Sequence, residues 1–177
     1  MNIREGFMVR VRLVENYLNK IIMDFSYFKK FIVDKNGKTS KKLKHSFYLV
    51  SQNEIDTIDR ELKIPYELKQ FYSIVGFGYM FDSTEYYSID KFLSPDEFKK
   101  INFREEYYKF DPTLEIFNTP EYKNKLIFFE VNEGVYLLID KNDVKGKNAI
   151  YYFDDKIANS LDEFLMKFDK EGHYFED

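Results

Sequence analysis

Hydrophobic residues along this chain first recur at helical spacing and later at strand spacing. From Met8 to Phe31 the apolar positions Val11, Val14, Leu18, Ile21, Ile22 and Phe25 recur at three-and-four spacing, which predicts one amphipathic helix, with a short strand over Phe7 to Val11 as the alternative for its start. Asp34-Lys35-Asn36-Gly37 is a turn signal, and Lys38 to Lys42 after it predicts a loop. A short extended piece, Ser46 to Val50, precedes the capping box Ser51-Gln52-Asn53-Glu54. The helix it opens carries Ile55, Ile58 and Leu62 on one face. Ile64-Pro65 interrupts it, and Pro65 suits the first position of a second helix, Pro65 to Tyr72. Gly76-Phe77-Gly78-Tyr79 then turns into a strand, and Tyr86 to Phe92 predicts another.

Ser94-Pro95-Asp96-Glu97 is a second capping box, for a helix through about Ile101. Residues 103–121 have no clean period and are expected to be mostly loop, with room for one short helix. Three strands come next: Lys125 to Val131, Val135 to Asp140 after the tight turn Asn132-Glu133-Gly134, and Ala149 to Phe153. Ser160-Leu161-Asp162-Glu163 reads as a third capping box, for a helix to about Phe168. Strands grouped together rather than alternating with helices predict an α+β fold. It is expected to be a single domain with an antiparallel or mixed sheet of about four to six strands and helices on one side. Residues 1–44 are expected to pack as a helix and basic loop on a domain spanning 45–177.

The chain has 177 residues, 44% of them hydrophobic and 33% charged, as in ordinary globular proteins. Its 15 tyrosines exceed what a core can satisfy with hydroxyl partners, so some should serve contact at the surface. There is no cysteine, which removes disulfides, thiolate nucleophiles and cysteine metal sites. No apolar run is long enough to span a bilayer, and charged residues interrupt the N-terminal apolar stretch, so a cytoplasmic protein without a signal peptide is expected. Residues 1–44 carry a net charge of +7 and residues 45–177 a net of −11. The basic stretch reads as a solvated helix and lysine-rich loop, with nucleic-acid or membrane-surface contact as the sharper alternative. The acidic body argues against nucleic acid as main partner and suits a basic protein.

Nothing in the chain forms a catalytic pattern. His45 and His173 are expected to be solvated surface residues. Asp140-Lys141-Asn142-Asp143 opens like a calcium loop, but Val144 falls at a ligand position and the late glutamate is missing. Asp154-Asp155 is expected in a solvated loop. Gly76-Phe77-Gly78 comes after a helix, the wrong order for dinucleotide binding, and is expected to let backbone pack closely. No cofactor, metal or catalytic residue is expected.

The stretch FYLVSQNEIDTIDRELKIPYELKQFYSIVGFGYMF, Phe47 to Phe81, resembles the signature of the SUKH superfamily. Its ordered features are spaced glutamates, a Leu/Ile-Pro step, a short helix ending in an aromatic pair, and a glycine turn into the sheet. Glu54, Glu61, Ile64, Pro65, Phe71, Tyr72, Gly76 and Gly78 occupy those places. Leu126 to Phe168 is similar to a Firmicutes-type branch, so the resemblance covers about residues 45–170. The glycine turn here departs from the Asn or Gly-Gly of many relatives, and the lysine-rich segment before Phe47 lies outside the common pattern. The resemblance implies a SUKH-like fold and an immunity protein that binds a cognate bacterial toxin, such as a nuclease. A regulatory or scaffold module, as in the yeast cell-wall-synthesis member, is the alternative. The motif is structural and assigns no interface. Candidate contacts are Tyr79, Glu85, Tyr86 and Tyr87 near the central strands, and Glu105, Glu106, Tyr107, Tyr108 and Asp111 in the acidic aromatic stretch.

Overall fold

The computed structural model describes residues 24–33, 43–82 and 89–176. A 3-10 helix η1 (Phe25–Phe31) leads to strand β1 (Ser46–Tyr48), helix α1 (Gln52–Leu62), helix α2 (Tyr66–Ile74), and strands β2 (Phe77–Tyr79) and β3 (Lys91–Phe92). Helix α3 (Pro95–Phe103) and three 3-10 helices, η2 (Glu106–Phe110), η3 (Pro112–Asn118) and η4 (Pro120–Tyr122), come next. Strands β4 (Lys125–Glu130), β5 (Tyr136–Asp140), β6 (Ile150–Tyr152) and β7 (Asp155–Ala158) precede helix α4 (Leu161–Glu171). The sheet is an antiparallel meander in the order β1 to β7, so the α+β class holds with seven strands rather than four to six.

Local chemistry sets the helix starts. Ser51 and Glu54 form a reciprocal capping box on α1, and Ser94 and Glu97 form another on α3 with Pro95 in the first turn. The third box is only half formed. Ser160 accepts from the Glu163 amide, but the Glu163 carboxylate turns to the Asn159 amide instead. Pro65 is the N-cap of α2 rather than its first helical residue, and α2 runs on to Ile74.

Register defines the two sheet faces, because directly paired antiparallel residues share a face. Phe47, Gly78, Phe92, Phe129 and Leu137 lie on one face. On it Phe92 stacks on Phe71 of α2 at 4.3 Å, Phe47 meets Phe28 of η1, and Phe129 meets Phe164 and Phe168 of α4 at 5.6 and 5.5 Å. Tyr72 of α2 is fully buried and its hydroxyl donates to the Leu93 carbonyl at 2.8 Å. The opposite face carries Tyr48, Tyr79, Lys91, Glu130 and Tyr136.

Four sequence expectations need correction. The described end of the helix expected from Met8 to Phe31 is a 3-10 helix, which Asp24 caps by accepting from the Ser26 amide at 3.0 Å. The earlier part of the expected helix, with the turn and lysine loop at 34–42, lies outside the described residues. Strand β3 is confined to Lys91–Phe92, and residues 86–88 of the expected strand are not among those described. The stretch 103–121 holds three short 3-10 helices, where mostly loop with room for one short helix was expected. Asp154-Asp155 is exposed but only Asp154 lies in a turn: Asp155 begins β7, paired with Tyr152 across the two-residue turn Phe153-Asp154. Phe153 takes φ 51° there, a conformation that Asn or Gly usually supplies, so this hairpin carries no turn signal in its residues.

An irregularity in the sheet anchors α3. The β4–β5 register shifts between Ile127 and Phe129. At that bulge the Asn102 side chain donates to the Ile127 carbonyl at 2.8 Å and accepts from its amide at 3.0 Å. An amide side chain thus stands in for a strand neighbour and ties the end of α3 to the sheet.

Candidate protein-binding surface

The face opposite the helices is only partly covered. At the β1–β2 end Tyr48 and Tyr79 are exposed and Phe77 is half-buried. Tyr48 and Phe77 sit directly across from each other, with rings 5.7 Å apart. At the β4–β5 end Tyr136 is buried against Phe117 of η3, at 6.5 Å, and Phe117 packs on Tyr122 of η4 at 5.2 Å. Among the described residues, the 3-10 segment therefore roofs this end of the face and nothing roofs the other.

A charged seam divides the two ends. The Lys91 ammonium lies 2.9 Å from Glu97 and 3.6 Å from Glu130. Burial works against the Lys91 charge, but the Glu97 hydrogen bond and both carboxylates outweigh it, and its pKa is raised. Burial raises the Glu130 pKa, partly offset by Lys91. Half-buried Tyr108 of η2 lies in the field of this seam, its pKa raised by burial and then by Glu97. Tyr79 acts electrostatically on Lys91 from the other side. Tyr79 and Tyr108, one from each group of candidate contacts, both act on this seam.

Beyond the seam the 3-10 segment forms a ridge. Its side chains divide into two sets, which explains the missing period. Leu114 and Tyr122 are buried, and Tyr108 and Phe117 are half-buried. Facing solvent are Phe103 at 43% exposure, Tyr107 at 77%, Phe110 at 81% and Ile116 at 45%. Glu105 and Glu106 are exposed, and Glu106 pairs with Lys100 at 3.1 Å. Asp111 caps η3, accepting from the Thr113 amide at 2.9 Å and its hydroxyl at 2.6 Å. Glu85, Tyr86 and Tyr87 lie outside the described residues.

The signature residues are built into the frame. Glu54 completes a cap, Glu61 of α1 pairs with Lys99 of α3 at 2.7 Å, and Ile64, Pro65, Phe71 and Tyr72 are buried. Gly76 and Gly78 have φ 110° and 144°, and a Cβ on them would fall 1.9 Å from the Tyr48 carbonyl oxygen and 2.1 Å from that of Ser46. Only glycine lets β2 approach β1 this closely.

Both histidines depart from expectation. His45 is fully buried: its Nδ1 accepts from the Phe81 amide at 2.9 Å, which leaves the proton on Nε2 for Asp169 at 2.6 Å. Burial lowers its pKa although Asp169 opposes the shift. The signal was position 45 itself, two residues before Phe47 and so on the same face. His173 is half-buried, with Nε2 2.8 Å from Asp90 and Nδ1 3.1 Å from Glu176, and the Asp90 hydrogen bond raises its pKa. With both ring nitrogens engaged, neither imidazole is placed as a free base beside a nucleophile.

Sequence reasoning also missed Glu67 of α2, which is fully buried. Its Oε2 accepts from the amides of Asn148 and, at 3.0 Å, Leu161, while Asn148 Oδ1 accepts from the Glu67 amide at 3.0 Å. This clamp joins α2, the loop before β6 and the start of α4. Among the described residues no group of His, Cys, Asp and Glu is arranged to hold a metal ion, and no helix is long and apolar enough to cross a membrane.

Comparison with known proteins agrees with this frame. The model of the SMI1 / KNR4 family (SUKH-1) matches residues 49–167, from the residue after β1 to near the end of α4. Immunity protein YxxD of Bacillus subtilis (strain 168) is 38% identical over 136 residues, 75% of this chain and 89% of the Bacillus protein. No solved structure matches the chain. The family match spans the capped helices, the glycine turn and the meander that build the fold, and the chain belongs to the SMI1 / KNR4 (SUKH-1) family.

Proposed function

We propose that this chain is an immunity protein, which binds a cognate bacterial toxin and neutralises it by protein–protein contact, without catalysis of its own. The observation that carries this reading is the 38% identity to an immunity protein, extending over 89% of that relative. The surface is compatible with it: one sheet face is partly open, and large aromatic side chains stand in solvent beside carboxylates. The net charge of −11 over residues 45–177 favours a basic toxin, such as a nuclease, and disfavours nucleic acid as the main partner.

The test is co-expression. The large open reading frame beside this gene is induced in a naive host, with and without this chain. Restored growth together with a co-purifying complex is the expected result. A toxic neighbour that a folded, abundant chain fails to suppress would sink the pairing and favour a regulatory module instead.

A further inference from the structure

We propose that the toxin is gripped by the 3-10 ridge, with Tyr107 and Phe110 as central anchors, flanked by Phe103 and Ile116, and with the surrounding carboxylates facing a basic toxin surface. The inference rests on the immunity reading and adds to it the surface and the chemistry of the partner.

Exposure is the first observation. Phe110 and Tyr107, 81% and 77% exposed, are the most exposed aromatic side chains among the described residues, and they are three residues apart on one short element. Single exposed apolar residues need no explanation; two largely exposed aromatic rings on one short element, with only the Lys109 ammonium over Phe110 at 5.5 Å, together with exposed Phe103 and Ile116 nearby in sequence, call for one.

Preorganisation is the second. The ridge is pinned from below by buried Leu114 and Tyr122. The Arg104 guanidinium donates to the carbonyls of Ile101 and, at 3.3 Å, Leu114, tying α3 to η3. Tyr107 rests edge-on against half-buried Tyr108 at 5.7 Å. Arg104 and Glu106 hold left-handed backbone at φ 57° and 50°, a costly conformation for residues with a Cβ. These two residues bracket Glu105, at the bend that lifts Tyr107 into solvent. A surface already ordered loses little entropy on binding.

Charge decides the occupant. Residues 105–121 hold five carboxylates (Glu105, Glu106, Asp111, Glu115 and Glu121) against the single cation Lys109. Glu106 is already paired with Lys100 at 3.1 Å, which leaves Glu105, Asp111, Glu115 and Glu121 against Lys109, still a net acidic segment. An apolar centre within an acidic rim fits a partner that presents apolar pockets among lysines and arginines.

The experiment compares four chains against the neighbouring toxin, by growth rescue and by calorimetric titration of the purified toxin. They are the parent, Tyr107→Ser with Phe110→Ser, Glu105→Lys with Glu115→Lys, and Met166→Ser. Met166 is exposed on α4, which packs on the opposite sheet face, and serves as control. The double serine variant is expected to melt with the parent, bind roughly 100-fold more weakly and lose rescue. The charge-reversal pair should weaken binding, most at low salt, and Met166→Ser should behave as parent. If the parent rescues and the double serine variant still binds within about threefold of it, the ridge is the wrong surface while the immunity reading stands. If the parent neither binds nor rescues, that reading fails first and takes the ridge with it.

Discussion

Replacing Gly76 with alanine should strike the fold at the closest approach between strands. Gly76 joins α2 to β2 at φ 110°, and its amide donates to the Phe71 carbonyl at 3.1 Å. A Cβ there would lie 1.9 Å from the Tyr48 carbonyl oxygen and 2.7 Å from its carbon. Those atoms are β1 backbone, so no rotamer change relieves the clash, and β1 must move from β2. Positive φ costs a residue with a Cβ about 1–2 kcal/mol. Forcing the strand pair apart adds about 2–3 kcal/mol. Together that is roughly 3–5 kcal/mol, a large share of the 5–15 typical of a domain. At about 2–4 °C per kcal/mol for a chain of this size, the midpoint should fall by roughly 6–20 °C. Gly172→Ala is the internal control: Gly172 also has positive φ, 66°, but nothing lies within 4 Å of the added carbon. It should lose only the conformational part, about 1–3 kcal/mol at φ 66° and ψ −135°. Thermal and urea unfolding followed by circular dichroism read both. A Gly76→Ala protein no less stable than Gly172→Ala would refute the steric argument.

Buried polar groups set three further outcomes. Burial pushes the Glu67 pKa up to about 7 from 4.5, against the backbone hydrogen bonds of Asn148 and Leu161. The folded state therefore holds this proton more tightly than the unfolded one. Its stabilisation is complete below pH 4.5 and is lost as pH rises to about 7, on the order of 2–3 kcal/mol. Glu67→Gln should flatten urea-derived stability over that window; an unchanged slope would assign it to Asp162, Glu130 and His173, whose pKa values are also raised, while His45, lowered, works in the opposite sense. Asn102→Ala strands the amide and carbonyl of Ile127 at the β4 bulge and should cost about 2–4 kcal/mol, with local hydrogen exchange accelerated at Ile127. Tyr72→Phe removes the donor to the Leu93 carbonyl and should cost about 1–2 kcal/mol with the fold unchanged by circular dichroism; an effect under about 0.3 kcal/mol would mean the carbonyl has another donor.

Much of the fold was legible because its signals are local. Ser51 with Glu54, and Ser94 with Glu97, announced two helices, since a cap is made by residues three apart and needs no tertiary partner. The dense apolar run at Leu126 to Phe129 and the tight turn at Asn132 to Gly134 announced the central hairpin. Local signals also misled. Ser160 and Glu163 have the right spacing for a box, yet Asn159 took the Glu163 carboxylate, and β7 hid behind a turn of Phe153-Asp154.

The class, the family and the glycine turn were therefore written in the order of residues alone, because capping, strand periodicity and the absence of a Cβ act over a few positions. Which groups are buried and which stand in solvent was settled only when distant segments packed together. His45 became a locked core residue through Phe81 and Asp169, distant in sequence, and Glu67 was buried by Asn148 and Leu161. In the ridge, Leu114 and Tyr122 turn inward while Tyr107 and Phe110 face water, although all four are large apolar residues in one aperiodic segment. The reason is physical: a 3-10 segment repeats no fixed face over its short pieces, so only the sheet beneath it sets which side chains find a partner.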